Sequence, residues 1–486
     1  MSPPDAPRYA PTLASLRTHP VPDWYHDAKL GIFVHWTMAA VPAYAPRDQD
    51  ILEVLRTRYD DLQAYSPYVE WYENSIRLPD SPAAKHHRDH YGSRPYASFR
   101  GEFEAGIARF DAGAWADAMQ AAGARYAVFV TKHHDGYCLW PSDVTNPKRP
   151  GWVSRRDCVG ELASAVRARE LRFGVYYSGG LDWTWNPTPV RTMAETMASM
   201  PGGAYPAYAD AQVRELVARY APDVLWNDIA WPARQDALFR LFADYYAAVP
   251  GGVLNDRWLT ASWVTTALRF RPLQKLADVY LKRAVLSGKA DLTPPRPPHC
   301  DTRTPEYAVF PTARPEKWEC VRGIDKSFGY NRYSHEEDFL SERELIHSFA
   351  DIVSKNGNLL LNVGPRGEDA AIPEPQLRRL AWLGAWLRTN GAAIYGTRPW
   401  RRAEGTTREG IDVRFTAKGD TVVAIQLGTP PEGRVTLEGV LPAEGARVEL
   451  LGRGAVAWQS DGPDCRIELG APLPHAVAHA LSISRA

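Results

Sequence analysis

The chain has 486 residues, too many for one ordinary hydrophobic core, so a large domain with at least one smaller companion is expected. Lys+Arg and Asp+Glu each total 57, and this balance gives no electrostatic handle for nucleic acid or an anionic membrane. Five scattered cysteines without a C-x-x-C pair read as free thiols, and no apolar run resembles a membrane span or a secretory h-region, so a soluble, cytoplasmic protein is expected.

In chain order, the predicted strands are "GIFVHW" (31–36), "YAVFVTKHH" (126–134), "FGVYYS" (173–178), "DVLWND" (223–228), "GVLNDRW" (252–258) and "NLLLNVGP" (358–365). Each is short, rich in β-branched and aromatic residues and mostly unalternated, the pattern of strands buried on both faces. Helical periodicity lies between them: Val159, Leu162, Ala163 and Val166 share a face, as do Val213, Leu216, Val217 and Tyr220. Ser341 and Glu344 form a capping-box pair, and Leu377, Leu380, Ala381, Gly384 and Leu387 predict a further helix face. Strand–helix alternation predicts a parallel α/β fold, and polar residues at the strand ends favour a (β/α)8-like barrel. The rival doubly wound sheet lacks a G-x-G-x-x-G or P-loop after any strand.

Residues 259–305 break this rhythm with a helix-like stretch followed by "LTPPRPPHCDTRTP"; so long a connection is usually functional or disordered. From about residue 400 the segments alternate apolar and polar between Gly/Pro turns. The predicted organisation is a catalytic barrel domain over 1–398 and a C-terminal antiparallel β-sandwich over 399–486, whose role is structural packing or accessory sugar binding.

Candidate chemistry begins at "KHHDG", where His133 and His134 end a buried strand. Adjacent strand residues point to opposite faces, a poor spacing for metal ligands. His86 and His90 in "HHRDH" have helical ligand spacing, but lack the Glu of H-E-x-x-H and read as a solvated face. No bound metal and no cofactor is expected. Asp228 ends "DVLWND" between Trp226 and Trp231, a costly place for a carboxylate unless it is used or caps the next helix. Glycoside hydrolysis needs two carboxyls flanking the bond, and 17 tryptophans suit sugar faces.

The motifs "WYHDAKLGIFVHW", "VEWYENSIR", "YAVFVTKHHDGYCLWPS", "LRFGVYYSGGLDW", "PDVLWNDIAWP", "NDRW", "PEY", "RGIDKSFGYNR" and "VSKNGNLLLNVGP" occur in the order of a known family. From about Trp24 to Trp400 the chain resembles the α-L-fucosidases, family 29 of the glycoside hydrolases. The resemblance implies a (β/α)8-like barrel, with 259–305 an insertion, followed by a β-sandwich, and a retaining exo-α-L-fucosidase acting on fucosylated oligosaccharides or glycosides. By that resemblance Asp228 is the nucleophile and Glu306 the acid/base, with Glu319 a rival whose plainer reading is an ion pair with Arg322, and Glu70 a further candidate acid although its match is to a sugar-binding position. His35, Glu70, Trp71, His133, His134, Tyr176 and Arg257 match residues that hold fucose hydroxyls or shape the pocket. Trp226 and Phe328 match apolar walls for the C5 methyl. The two neighbours Tyr176 and Tyr177 point to opposite faces, so only one should reach the sugar, and the motif match implies Tyr176. The alternatives are an α-L-galactosidase on the same fold, a metal-dependent barrel hydrolase built on His133 and His134, and a non-catalytic fucose-binding protein. A homo-oligomer is left open.

Overall fold

The computed structural model describes residues 9–288, 295–430, 432–470, 473 and 476–484. Its centre is a curled, all-parallel sheet of seven strands: β1 Leu30–Val34, β2 Tyr126–Lys132, β3 Arg172–Ser178, β4 Val224–Asp228, β5 Val253–Leu254, β6 Trp318–Gly323 and β7 Gly357–Val363. They lie in the order β5-β4-β3-β2-β1-β7-β6. Alternate residues face two different cores. Ala127, Phe129, Phe173, Val175, Leu225 and Leu361 pack outward against helices, while Tyr126, Val128, Tyr176, Trp226 and Leu360 fill the inside of the curl. Burial on both faces explains the unalternated apolar runs.

Two strands depart from expectation. β5 is short because Asn255 continues its ladder with a side chain: the Asn227 N–H donates to Asn255 Oδ1 at 2.9 Å, and Asn255 Nδ2 donates to the Asn227 carbonyl at 2.8 Å. β6, "WECVRG", went unpredicted because Glu319 and Arg322 interrupt its apolar pattern. Between the edge strands runs the irregular segment 301–307. The Asp301 N–H donates to Leu254 O, and the Val321 N–H donates to Pro305 O.

The helices Cys158–Arg167 and Tyr205–Tyr220 bury the predicted faces, and the Ser341–Glu344 capping box opens the helix Glu342–Ser354. Glu374–Asn390 is rotated from its expected face: Leu377 is 39% exposed, whereas Gln376 and Arg379 are buried. Those two polar groups find partners inside, Gln376 Oε1 accepting from the Gly364 N–H and Arg379 Nε donating to Leu340 O. The helix Pro82–Tyr91 is solvated at Arg88, Asp89 and His90, but His86 is buried and stacks on Tyr44 at 3.9 Å.

Beyond Arg398 the chain forms a six-stranded and a three-stranded sheet; the pairings within each are antiparallel. Val422, Phe415 and Leu481 of the larger sheet share one core with Val435 and Ile467 of the smaller. Its opposite face, including Val423 and Ile425, packs into the main core. Among the described residues no helix is long and apolar enough to cross a membrane.

Candidate active site

The strands' C-terminal ends surround a cavity of about 370 Å³, lined by His35, Glu70, Trp71, His133, Tyr176 and Trp226, and by Asp228, Arg257, Glu306 and Phe328. Every candidate residue except His134 and the rival acid Glu319 therefore lines one space, although they come from segments more than 290 residues apart in sequence. His134 lies just behind the wall, with Nε2 3.8 Å from Asp228 Oδ2.

Asp228 is the last residue of β4 and is buried. Its Oδ2 accepts from the Tyr176 hydroxyl at 2.7 Å, and its Oδ1 accepts from Arg257 Nη1 at 3.0 Å and from the Ile229 N–H at 2.8 Å. It caps no helix; the next one, Gln235–Ala248, begins after Arg234. Arg257 also reaches Glu306, Nη2 to Oε1 at 2.6 Å, and Tyr68 donates to Glu306 Oε2 at 3.1 Å. One guanidinium fork thus joins both candidate carboxylates. Burial opposes its charge, but Glu306 and Asp228 outweigh burial and raise the Arg257 pKa. Thr304 steadies the same arginine through its hydroxyl and carbonyl oxygens.

Each carboxylate is followed by a non-glycine residue in left-handed backbone, Ile229 at φ 67° and Tyr307 at φ 49°. For a β-branched residue this conformation is sterically costly. At Ile229 it accompanies an N–H turned onto the preceding carboxylate.

The paired histidines correct the expectation of opposite faces. β2 ends at Lys132 after a register irregularity between Val130 and Lys132, so His133 and His134 lie beyond regular strand pairing. Their ring centroids are 4.0 Å apart, and both approach Asp228. His134 Nδ1 meets Ser178 Oγ at 2.6 Å, and that hydroxyl donates to Leu181 O. Ser178 can then only accept, so Nδ1 carries the hydrogen and Nε2 is a bare acceptor with no protein partner. Similarly, Asn362 Nδ2 donates to Phe328 O, leaving its Oδ1 to accept from His35 Nδ1 at 2.5 Å. His133 Nδ1 is also buried without a partner. Burial lowers the pKa of all three, His35 to about 4, so His35 and His133 face the cavity as neutral imidazoles with a neutral His134 behind them. Burial raises Glu70 to about 8 despite the Gly329 N–H donated to its Oε2.

His133, His134 and Asp228 do bring three ligand-type atoms within 4.8 Å of one another. The Arg257 guanidinium already bonded to Asp228 opposes a second cation there. Glu319 is set apart from the cavity, and its expected ion pair with Arg322 is not formed. Residues i and i+3 of a strand point to opposite faces, and Glu319 turns inward to accept from Tyr25, Tyr126 and Trp226 Nε1. Burial raises its pKa, and it buttresses Trp226 from below.

Tyr68 and Thr304 escaped the sequence reading, as did Asn362 and Ser178, which fix the tautomers. Tyr68 lies one residue before the motif "VEWYENSIR", and no spacing rule marked it. Of the proline-rich insertion, 289–294 lie outside the described residues. Its described part forms a wall of the cavity with Leu259, Thr260, Thr265, Leu281 and Pro295.

Two carboxylates joined by an arginine, at the C-terminal rim of a parallel sheet and facing neutral imidazoles, suit the chemistry of a glycoside hydrolase. Comparison with known proteins names the family. The α-L-fucosidase family profile matches residues 2–392, and the chain belongs to that family of glycoside hydrolases. Tissue α-L-fucosidases of Bos taurus and Homo sapiens are 32% and 31% identical, covering 92% and 96% of this chain and 84% and 88% of theirs. The crystal structure of Thermotoga maritima α-fucosidase is 38% identical, with a TM-score of 0.81 over 98% of this chain and 100% of that one. A structure of the same Thermotoga enzyme in complex with fucose is 37% identical with a TM-score of 0.80, again over 98% and 100%.

Proposed function

We propose that the protein is a retaining exo-α-L-fucosidase, acting on terminal α-L-fucosides through a covalent fucosyl-enzyme. The observation that carries this reading is the Arg257 fork, which holds Asp228 and Glu306 in one buried site. Asp228 attacks the anomeric carbon while Glu306 gives its proton to the leaving oxygen. Glu306 then takes a proton from water, whose oxygen displaces Asp228. With Glu306 protonated for this first step, the Asp228 carboxylate is the negative charge beneath a positively charged transition state. The bare nitrogens of His35 and His134 call for hydroxyl donors, and Glu70, Trp71, His133, Tyr176 and Arg257 complete the sugar's surroundings. Trp226 and Phe328 face the C5 methyl. An α-L-galactoside would set a hydroxyl against those rings, which disfavours that substrate. The known binding of fucose by the Thermotoga relative supports the assignment.

We further propose that segment 301–307 closes the curled sheet into a (β/α)8-like barrel spanning 1–398, with 399–486 a β-sandwich domain. The test of function is hydrolysis of an aryl α-L-fucoside beside the matching α-L-galactoside and β-D-fucoside. Only the first should turn over rapidly, and prolonged EDTA treatment should not change its rate. Equal turnover of the galactoside, or chelator loss restored by zinc, would favour the competing readings.

A further inference from the structure

The cavity has two chemically different halves. All its carboxyl and guanidinium groups (Glu70, Asp228, Arg257 and Glu306) and its two imidazoles belong to the half already described. The remaining wall is apolar: Ile51, Leu62, Met193, Met197, Met200 and Leu281 line it. Half of the chain's six methionines are gathered here. Methionine adapts its shape to apolar ligands of varied outline. The few polar groups are largely engaged already. The Thr196 hydroxyl donates to Thr192 O at 2.9 Å and the Thr265 hydroxyl to Ser262 O at 2.9 Å, leaving Gln63 and Thr260.

The insertion helix Arg271–Leu286, which supplies Leu281, is fixed in place rather than loosely attached. Asp278 accepts from Tyr59, from the Thr192 hydroxyl and from the Ala194 N–H, and Lys282 pairs with Asp60. Val285 joins Ile51, Val54 and Leu62 in a small core. Arg269 binds the Met200 carbonyl at 2.9 Å. The apolar wall is therefore built from three separate segments held together.

With the fucose anomeric carbon against Asp228 and the leaving oxygen against Glu306, the aglycone has to lie along this wall. A sugar there would bring hydroxyls onto methionine and leucine, and each one left unpaired costs binding. We propose that this apolar wall is a leaving-group subsite for apolar aglycones, alkyl chains or fused rings, and that such fucosides are preferred over fucosylated oligosaccharides. The inference rests on the fucosidase reading above.

The test uses the full-length enzyme and a series of methyl, butyl and octyl 1-thio-α-L-fucosides, below micelle concentrations, as competitive inhibitors of aryl fucoside hydrolysis. Each methylene fully buried is worth roughly fourfold in affinity. Allowing for partial burial, octyl should bind at least about thirtyfold more tightly than methyl. Met197→Gln and Leu281→Gln should each flatten this dependence on chain length. Octyl O-fucoside should also exceed fucosyllactose in kcat/KM. If L-fucose inhibits but octyl and methyl bind alike, or if both variants keep the full dependence, the subsite is refuted and the fucosidase reading stands. If neither L-fucose inhibits nor any α-L-fucoside is cleaved, the fucosidase reading fails and takes this inference with it.

Discussion

The Tyr176 hydroxyl donates to Asp228 Oδ2 at 2.7 Å from the neighbouring strand, where the register pairs Ser178 with Asp228. Arg257 and the Ile229 N–H hold the other oxygen, so the carboxylate is aimed by three donors on separate supports. Asp228→Gly removes the attacking atom but leaves these donors facing a vacant volume. Turnover should fall roughly 10⁴-fold or more, the scale of removing a nucleophile. With an activated fucoside, azide should restore part of the rate and yield the β-fucosyl azide. Product analysis checks this, and near-wild-type turnover without azide would sink the assignment.

Glu306 and Glu319 are separated by leaving-group dependence. Glu306→Ala should slow natural fucosides by roughly 10²–10⁴-fold, the worth of acid–base catalysis, and hurt nitrophenyl fucoside glycosylation far less. The fucosyl-enzyme should then accumulate, giving a burst followed by a slow, azide-accelerated steady state. Glu319→Ala breaks a buried network with Tyr25, Tyr126 and Trp226, so it should lower the denaturation midpoint without the leaving-group signature. The opposite pattern would move the acid to Glu319.

Burial holds His35 at a pKa of about 4 against 6.5 in the unfolded chain. Unfolding therefore takes up a proton between these values. The stability tied to His35 is complete above pH 6.5 and lost as pH falls towards 4, by about 3 kcal/mol. Glu70 works the other way: its pKa is raised from 4.5 to about 8, so its contribution declines as pH rises through that window. Denaturant midpoints of His35→Gln should fall less steeply than wild type from pH 6.5 to 4.5. Those of Glu70→Gln should fall less steeply from pH 5 to 8. Slopes identical to wild type would contradict the buried-neutral state of each group.

The sheet was legible where strands are buried on both faces: "GIFVHW" and "NLLLNVGP" leave little choice. It was illegible where polar residues replace ladder or core contacts, as Asn255 does beyond β5 and Glu319 within β6. The Glu374–Asn390 face was misplaced for the same reason, because Gln376 and Arg379 are buried with partners that periodicity does not reveal. At the site, residue types and family order marked the groups that could face a ligand. They did not mark Tyr68, Ser178 or Asn362, whose contribution is a hydrogen bond across long sequence separation. Nor did alternation hold at His133 and His134, because strand pairing has ended before them.

The left-handed backbone at Ile229 and Tyr307 has an evolutionary consequence. Such conformations cost on the order of 1–3 kcal/mol each, and glycine would relieve much of that cost. Laboratory selection for heat tolerance alone would therefore be drawn to the residues immediately after Asp228 and Glu306. Glycine there would also loosen the chain that orients each carboxylate. Along these two positions, a hardier descendant and a faster one lie in opposite directions.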